Sequence, residues 1–455
     1  MRKLFFSFLL ALMMPMTAGA QEIYAVYDGE GTLTFYYDNL KASRSGTVYS
    51  PTPNEKGYPE WHVLSGMVTK AVFDDSFASC TTLTSTAWWF YDLWRLSSII
   101  GFSNFKTDNV TNMHGMFTRC FGLTSLDLTV FKTDNVTDMS NMFDTCSGLT
   151  SLDLSDFKTD KVTNMHGMFS GCFGLTSLDL TGLKTDNVTD MNDMFNDCYG
   201  LTSLNLTGIK TDNVTDMGFM FWGCSGLTSL DVTGFKTGNV TDMGGMFWGC
   251  SSLTSLDLSN FKTDKVTTMG NMFCKCSSLT SIDLTGFKTD NVWDMAGMFS
   301  FCSGLTSINL TGLKTDNVKD INTMFYGCSS LTNIDLSGFK TDNVTFMGRL
   351  FYECSSLTTI YAGDGWNTAK VTSGDNLFLG CTNLVGGAGT KFNASHKDYT
   401  YARIDGGSDN PGYFTAKAEG GPQTWAEGDL NHDGKVDAAD VVVLVNMIMN
   451  QNLNQ

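Results

Sequence analysis

The sequence is poor in the groups on which most catalytic and metal sites are built. It has five histidines, and their spacing does not match that of metal-ligand pairs. It contains no G-x-S-x-G nucleophile elbow and no glycine loop of the kind that cradles phosphate. No column of histidines accompanies the cysteines to activate a thiolate. The sequence therefore predicts a protein that is not an enzyme.

Positive charge is also scarce. Lysine and arginine number 29 against 47 aspartates and glutamates, which leaves a net charge of −18. A chain this acidic repels the phosphate backbone of nucleic acids, so a nucleic-acid partner is excluded. The same charge suits a solvated extracellular surface.

Long apolar runs are missing except at the N terminus. There Arg2 and Lys3 precede the apolar run Leu4–Met14, and small residues at 18–20 precede Gln21. This order is typical of a secretory signal peptide, which we assign to residues 1–20. The run is too short for a membrane anchor, and no later segment approaches the about 18 apolar residues of a membrane span. We expect a secreted or cell-surface protein that does not span the membrane.

What the sequence has in abundance is a 26-residue repeat, seen cleanly at Leu149–Gly174. A period of this length indicates stacked coils, each of which buries its apolar face against its neighbours. The L-x-x-L-x-L segment predicts a strand with inward leucines. The apolar residues of M-x-x-M-F-x-x-C fall at i, i+3, i+4 and i+7, the spacing of one helical stripe. For residues 72–385 we therefore predict an α/β repeat, a leucine-rich-repeat-like right-handed solenoid of strand, turn and short helix.

Thirteen cysteines in an exported chain raise the question of disulfides. Ten of them, from Cys120 to Cys354, recur every 26 residues on the inward stripe beside Met and Phe. Cysteine acts there as a small apolar filler, and the odd total leaves at least one thiol unpaired. We therefore favour buried reduced thiols over bridges. Cys274 is the exception, because its outward position predicts a reactive thiol.

Both ends of the array lose the period, as terminal capping units do. Strands at Glu22–Val26 and Leu33–Tyr37 predict a β cap over residues 21–71. Residues 386–418 are the predicted C-terminal cap. The aromatic residues of the segment 88–94 are interpreted as cap packing, with a ligand-binding cluster as the alternative.

The repeat N-V-T-D-M-x-x-M-F-x-x-C-x-x-L-T-S-L-D-L resembles that of the BspA-like leucine-rich-repeat surface proteins. The resemblance extends to T-L-T-F-Y-Y-D at 32–38, V-F-D-D-S-F at 72–77 and A-R-I-D-G-G-S-D-N-P-G-Y-F-T at 402–415. It implies a non-catalytic bacterial protein, secreted or surface-exposed, that adheres to host proteins, cells or glycans. The resemblance does not identify any binding residue in this chain.

Aromatic substitutions within the repeat are the candidate ligand-binding residues. Trp222, Trp248, Tyr326 and Tyr352 each stand two residues before a ladder cysteine, and Phe219 stands three residues before Trp222. In a helix these side chains would point away from the core. Exposed aromatics clustered on one face dock glycans or partner proteins. Contacts between coils are the alternative explanation.

The tail has the pattern of a calcium loop. After a predicted linker at 419–424, residues 429–440 read D-x-N-x-D-G-x-x-D-x-x-D, with oxygen ligands at the loop positions that calcium requires. The predicted ligands are Asp429, Asn431, Asp433, Asp437 and Asp440, with Lys435 through its backbone carbonyl. A helix should follow and complete a small calcium loop-helix. Residues 425–455 resemble one half of a dockerin type I module, which carries two such units.

These features leave two predicted functions. The first is a secreted or surface-exposed adhesion protein, whose repeated weak contacts to host proteins, cells or glycans add by avidity. The alternative is a non-catalytic carbohydrate-binding subunit of a polysaccharide-degrading assembly. Its dockerin-like tail would dock on a cohesin-like partner, or would pack on the chain's own C-terminal cap.

Calcium should bind the tail and protect it from proteolysis. The four aspartates of the loop repel one another without the metal, so binding is coupled to folding of the segment. We expect calcium to slow cleavage within residues 425–455 of the full chain, and Asp433→Ala to abolish that protection. Limited proteolysis read by mass spectrometry measures both. Equal cleavage with calcium and with chelator would contradict the assignment.

Overall fold

The computed structural model describes residues 20–417 of the chain. The predicted signal peptide up to residue 19, the linker and the calcium-loop segment lie outside the described residues. The six predicted calcium ligands therefore stay predictions. They are Asp429, Asn431, Asp433, Lys435, Asp437 and Asp440.

A five-stranded sheet forms the N-terminal end. Its strands are β1 (Glu22–Tyr27), β2 (Thr32–Asp38), β3 (Thr47–Tyr49), β4 (Lys70–Phe73) and β5 (Ser98–Ile100), in the order β3-β1-β2-β4-β5. The strands predicted at Glu22–Val26 and Leu33–Tyr37 are confirmed, and they form the antiparallel pair β1–β2. β4 and β5 continue the sheet in parallel towards the repeat array.

The inner face of this sheet is closed by aromatic rings. Phe35 stacks on Phe73 at 4.9 Å and on Trp89 at 5.4 Å between ring centroids. Trp89 and Phe90 are buried, which confirms the cap-packing interpretation for these two residues, whereas Trp94 is exposed. The sheet thus covers the apolar end of the stacked coils.

Short strands continue in part of the array. They pair in parallel between successive coils, because equivalent residues of neighbouring coils lie side by side. They are β6 (Ser177–Asp179), β7 (Ser203–Asn205), β8 (Ser281–Asp283), β9 (Ser307–Asn309), β10 (Asn333–Leu336) and β11 (Thr359–Ala362). A further strand, β12 (Phe414–Ala416), lies beyond the array and pairs in parallel with β11. β10, β11 and β12 form the sheet at the C-terminal end. The predicted strand therefore forms in some coils, over three or four residues.

The predicted helices are absent, so the α/β assignment is wrong. Residues 20–417 contain no α-helix, only 3₁₀ helices of three to five residues. The 3₁₀ helices are Lys41–Ser43, Glu60–Leu64, Asp75–Ser79, Phe102–Asn104, Tyr399–Tyr401 and Gly407–Asp409. The M-x-x-M-F-x-x-C segment of each coil is instead a series of turns.

Hydrogen bonds between coils replace the helix. Within one coil the N–H of Met168 donates to the carbonyl of Met165, three residues back, at 3.2 Å. The next N–H, of Phe169, donates to the carbonyl of Met194 in the following coil at 3.0 Å. An α-helix needs successive N–H groups to bond four residues back. Because every second N–H here bonds a neighbouring coil, the segment cannot be a helix.

Two left-handed positions in each coil complete this turn structure. They lie five residues and one residue before the ladder cysteine, as in Gly167 with φ 58° and Gly171 with φ 65°. Other coils place asparagine, aspartate, threonine or larger residues at these positions, again with positive φ. A left-handed residue interrupts a right-handed helix. The apolar spacing i, i+3, i+4 and i+7 therefore does not by itself distinguish a helix from these turns.

The apolar stripe is buried as predicted. Phenylalanines of successive coils stack in nearly parallel pairs from Phe90 to Phe378, with centroids 5.2 to 5.9 Å apart. Buried threonines also join the coils. The Thr185 hydroxyl donates to the carbonyl of Lys210 and accepts from its N–H, both at 2.7 Å.

All thirteen cysteines are free and buried, which confirms the prediction of reduced thiols. Each ladder thiol also donates a hydrogen bond to a phenylalanine carbonyl of the preceding coil, as Cys172 does to Phe143 at 3.1 Å. Burial raises the pKa of the Cys172 thiol well above its ordinary value. Cys274 corrects the prediction of an outward reactive thiol. It is 5% exposed, and burial raises its pKa as well.

Buried thiols should be slow to alkylate. The thiolate is the reactive form, and burial disfavours it at each ladder position. We expect iodoacetamide to label the native chain slowly at every cysteine, Cys274 included, and rapidly after unfolding. Intact-mass spectrometry over time measures the number of labels. Rapid labelling of several thiols in the native chain, or masses that show bridges, would contradict the buried reduced ladder.

Candidate functional site

The turns of successive coils form one continuous surface, which we call the turn face. It is the outward side of the M-x-x-M-F-x-x-C segments. Parallel pairing in 26-residue steps, from Asn112 to Phe346, keeps equivalent residues in columns. The left-handed positions and the residue two before the ladder cysteine lie along these columns. A side chain in one coil therefore lies next to the equivalent side chains of the adjacent coils.

Four residues of three adjacent coils form what we call the aromatic cluster: Phe219, Trp222, Trp248 and Lys275. The Trp222 and Trp248 rings stack with centroids 4.1 Å apart and planes 17° apart. Phe219 lies 5.1 Å from Trp222, in a tilted arrangement. The Lys275 ammonium lies 4.3 Å from the centroid of the Trp248 ring. Trp222 thus contacts Trp248 from the preceding coil, and Lys275 contacts it from the following coil.

The structure brings three of the five predicted ligand-binding residues together, but not by a helix. Trp222 and Trp248 are half-buried and contact each other, whereas Phe219 is 37% exposed. These aromatic residues therefore make contacts between coils and also leave part of their surface exposed to solvent. Lys275 was missed by the sequence reasoning. The sequence feature that could have identified it is a lysine directly before ladder Cys276, at a position where several other coils have glycine.

Glycine is required beneath Phe219. A Cβ at Gly245 would lie 2.5 Å from a Phe219 ring carbon and 3.1 Å from Trp222. A side chain there would displace the ring, so the cluster depends on the absence of a side chain in the next coil. The same arrangement recurs further along the array, where a Cβ at Gly327 would lie 2.9 Å from a ring carbon of Phe301.

Tyr326 and Tyr352 belong to a second cluster further along the turn face. Their rings meet edge to face at 4.9 Å, and Phe301 lies 4.4 Å from Tyr326. Both tyrosines are half-buried and Phe301 is 42% exposed. Within residues 20–417 no ring contact joins this second cluster to Trp248. Sequence reasoning missed Phe301, which also stands one residue before a ladder cysteine.

A column of half-buried carboxylates runs beside the aromatic cluster. Asp216 accepts hydrogen bonds from the Asn192 amide at 3.1 Å and from the Gly218 N–H at 2.9 Å. Asp242 accepts from the Gly244 N–H at 2.7 Å. Burial raises the pKa of Asp242, and the neighbouring carboxylates of Asp216 and Asp294 raise it further.

This arrangement offers aromatic rings, an ammonium and carboxylate acceptors, which together can bind a ligand reversibly. The part of the chain that the structure describes holds no group of three His, Cys, Asp or Glu side chains placed to bind a metal ion. It also holds no helix that is long and apolar enough to cross a bilayer.

Bulky residues of both clusters occupy left-handed backbone. Phe219 has φ 56°, Lys275 has φ 61° and Phe301 has φ 58°. Such a conformation costs a non-glycine residue about 1–2 kcal/mol. Five other coils place glycine with positive φ at the position of Lys275. Because these positions are left-handed in every coil, the strain belongs to the fold, and what distinguishes the two clusters is the bulk of the side chains placed there.

The comparisons with known proteins concern mainly the repeat array. Residues 84–204, 200–308 and 280–390 each match the family model described as "Mycoplasma protein of unknown function, DUF285". Together these matches span residues 84–390, more than half of the 455-residue chain. Successive matches to one model agree with the predicted repeat. No curated protein matches the chain.

One similar solved structure is the crystal structure of a leucine-rich repeat protein from Eubacterium ventriosum ATCC 27560. It shares 15% sequence identity with this chain and has a TM-score of 0.43. The match covers 83% of this chain and 97% of that one. A likeness at this level says nothing about what this chain binds.

Glycine at position 275 should stabilise the protein. Lys275→Gly removes the left-handed strain of about 1–2 kcal/mol and loses an exposed cation–π contact of about 0.5–1 kcal/mol. We therefore expect the free energy of unfolding to rise by about 0.5–1 kcal/mol in chemical denaturation. Lys236→Gly is the control and should lower it, because Lys236 has no left-handed strain to relieve. A loss of stability in Lys275→Gly would show that Lys275 is held by packing.

Proposed function

The chain belongs to the DUF285 family, and on that premise we propose that it is a non-catalytic binding scaffold. We take it to be secreted or held at the bacterial cell surface. Its stacked coils would contact host proteins, cells or glycans by avidity. The aromatic cluster on the turn face is the observation that supports this proposal.

The fold itself does not require aromatic residues at these positions. At the place of Trp222 and Trp248, other coils have small polar residues and still stack in the same way. They are Thr118, Asp144, Ser170 and Asn196. Clustered aromatic residues are the usual centre of a binding surface, because they bury a large area at a low cost in side-chain entropy. The Trp pair is therefore better explained by a ligand than by the stacking of coils.

A second contact on the same face supports avidity. The cluster of Phe301, Tyr326 and Tyr352 begins two coils beyond Trp248. At about 4.8 Å per coil, the three coils from Trp248 to Tyr326 span roughly 14 Å. An extended ligand that reaches both clusters gains affinity without a new kind of contact.

The alternative function is a carbohydrate-binding subunit of a polysaccharide-degrading assembly. Aromatic rings beside carboxylates suit a saccharide ligand. The calcium-loop pattern at 429–440 would attach the subunit to a cohesin-like partner. The two functions differ in the source of the ligand, host tissue or plant and microbial polysaccharide, so side-by-side arrays of host-matrix proteins and of glycans discriminate between them.

Removing both tryptophans should weaken binding without unfolding the protein. The rings are half-buried on the surface, so Trp222→Ala with Trp248→Ala opens no core cavity. We expect affinity for the ligand found on the arrays to fall at least tenfold, as for aromatic hot spots of about 2 kcal/mol or more. Surface plasmon resonance on residues 21–455 measures it.

Trp293→Ala is the matched control, because Trp293 is 48% exposed and lies outside both clusters. Its binding should equal that of the unaltered chain. Unchanged affinity in the double variant would contradict the proposal. So would a fall in stability of about 3–5 kcal/mol, which is typical of the loss of a core aromatic residue.

A further inference from the structure

Lys275 and Arg119 both stand directly before a ladder cysteine, but only Arg119 pairs with a carboxylate. The Arg119 guanidinium lies 3.3 Å from the Asp92 carboxylate. Within residues 20–417 no carboxylate lies within ion-pair distance of the Lys275 ammonium, which lies over the Trp248 ring. The side chain is exposed. It therefore leaves an ammonium available to an anionic group in a chain of net charge −18.

The aromatic cluster is acidic at its Phe219 end. Gly244 lies beside the carboxylate of Asp242, and the next residue, Gly245, lies beside the rings of Phe219 and Trp222. A Cβ at Gly244 would lie 3.1 Å from Asp242, and one at Gly245 would lie 2.5 Å from Phe219. Asp242 uses one oxygen to accept from Gly244, and its other oxygen has no hydrogen bond within the described residues. That oxygen can accept a hydrogen bond from a ligand hydroxyl.

We propose that the aromatic cluster binds a saccharide in which single carboxylates are separated by neutral sugars, with Lys275 pairing the carboxylate. This inference rests on the proposed function and names its ligand. The single ammonium of the cluster can pair with one negative charge on the ligand. The aspartates beside Phe219 favour a ligand with hydroxyl groups, because carboxylates accept hydrogen bonds from hydroxyls. An acidic peptide or a densely sulfated glycan would place several negative charges against the same aspartates and be repelled.

The ring arrangement fits a sugar that packs against ring edges and against Phe219. Trp222 and Lys275 contact the Trp248 ring from the two neighbouring coils, so a sugar cannot stack flat on Trp248 as it does on an isolated platform. Phe219 is the most exposed ring of the cluster and lies on the side of Asp242. The apolar C–H face of a sugar ring would contact Phe219, with its hydroxyls towards the aspartates.

The test compares acidic and neutral forms of one saccharide. The probe is a hyaluronan hexasaccharide, which carries one carboxylate in each disaccharide, and the comparison is its carboxyl-reduced form. Isothermal titration calorimetry on residues 21–455 at low salt should show about fivefold tighter binding of the acidic form, in the range of one exposed ion pair. Lys275→Met should abolish this preference, because methionine keeps an unbranched apolar side chain without the charge. Lys236→Met, a matched loss of one exposed lysine, should keep it.

Salt provides a second readout. Raising the ionic strength from about 0.05 to about 0.3 M should remove most of the preference in the unaltered chain, because salt screens exposed charges. The neutral hexasaccharide and the Lys275→Met variant should show little change. Thermal melting confirms that each variant is folded, and the exposed position of Lys275 leaves the core intact.

Three outcomes would overturn the inference: equal binding of the acidic and neutral hexasaccharides, an unchanged preference in Lys275→Met, or tighter binding of a glutamate-rich peptide or of heparin. The proposed function fails separately. If the hexasaccharides do not bind but the double tryptophan variant loses affinity for another array ligand, the scaffold function stands and the saccharide inference falls.

Discussion

The hydrogen bonds between coils in the turn segment are the constraint on which the rest of the structure depends. Every second N–H of this segment, such as that of Phe169, donates to the following coil rather than along its own chain. These bonds leave no continuous set of amides for an α-helix and require left-handed residues at two places in each coil. The thiols and buried threonines add further bonds between coils, as Cys172 and Thr185 show. Each coil is therefore held mainly by its neighbours.

This constraint also builds the proposed binding surface. Because coils stack in register, residues 26 positions apart in the sequence become neighbours, and two tryptophans in adjacent coils form a stack. The left-handed positions project side chains away from the phenylalanine core, so Phe219 and Lys275 reach the surface beside that stack. A glycine in the next coil, Gly245, leaves room for the ring. The scaffold thus changes its surface by substitutions at a few columns and leaves its core unchanged.

The chemistry of this surface supports the proposed role in binding. Half-buried aspartates, aromatic rings and one ammonium lie on neighbouring columns, and the pKa of Asp242 is raised by burial and by the carboxylates beside it. The proposed ligand, with hydroxyls and an isolated negative charge, would interact favourably with each of these groups. Membership of the DUF285 family is consistent with a repeat scaffold and does not by itself name a ligand.

The sequence by itself determined the period, the buried stripe and the reduced cysteine ladder, because burial follows the pattern of apolar residues at any regular backbone geometry. It also singled out Phe219, Trp222 and Trp248 as departures from the repeat. Only the tertiary structure decided that the stripe belongs to turns, since the spacing i, i+3, i+4 and i+7 is shared and the choice lies in bonds to the next coil. It likewise decided the place of Lys275 and the burial of Cys274, because both depend on contacts with neighbouring coils that no pattern within one coil contains.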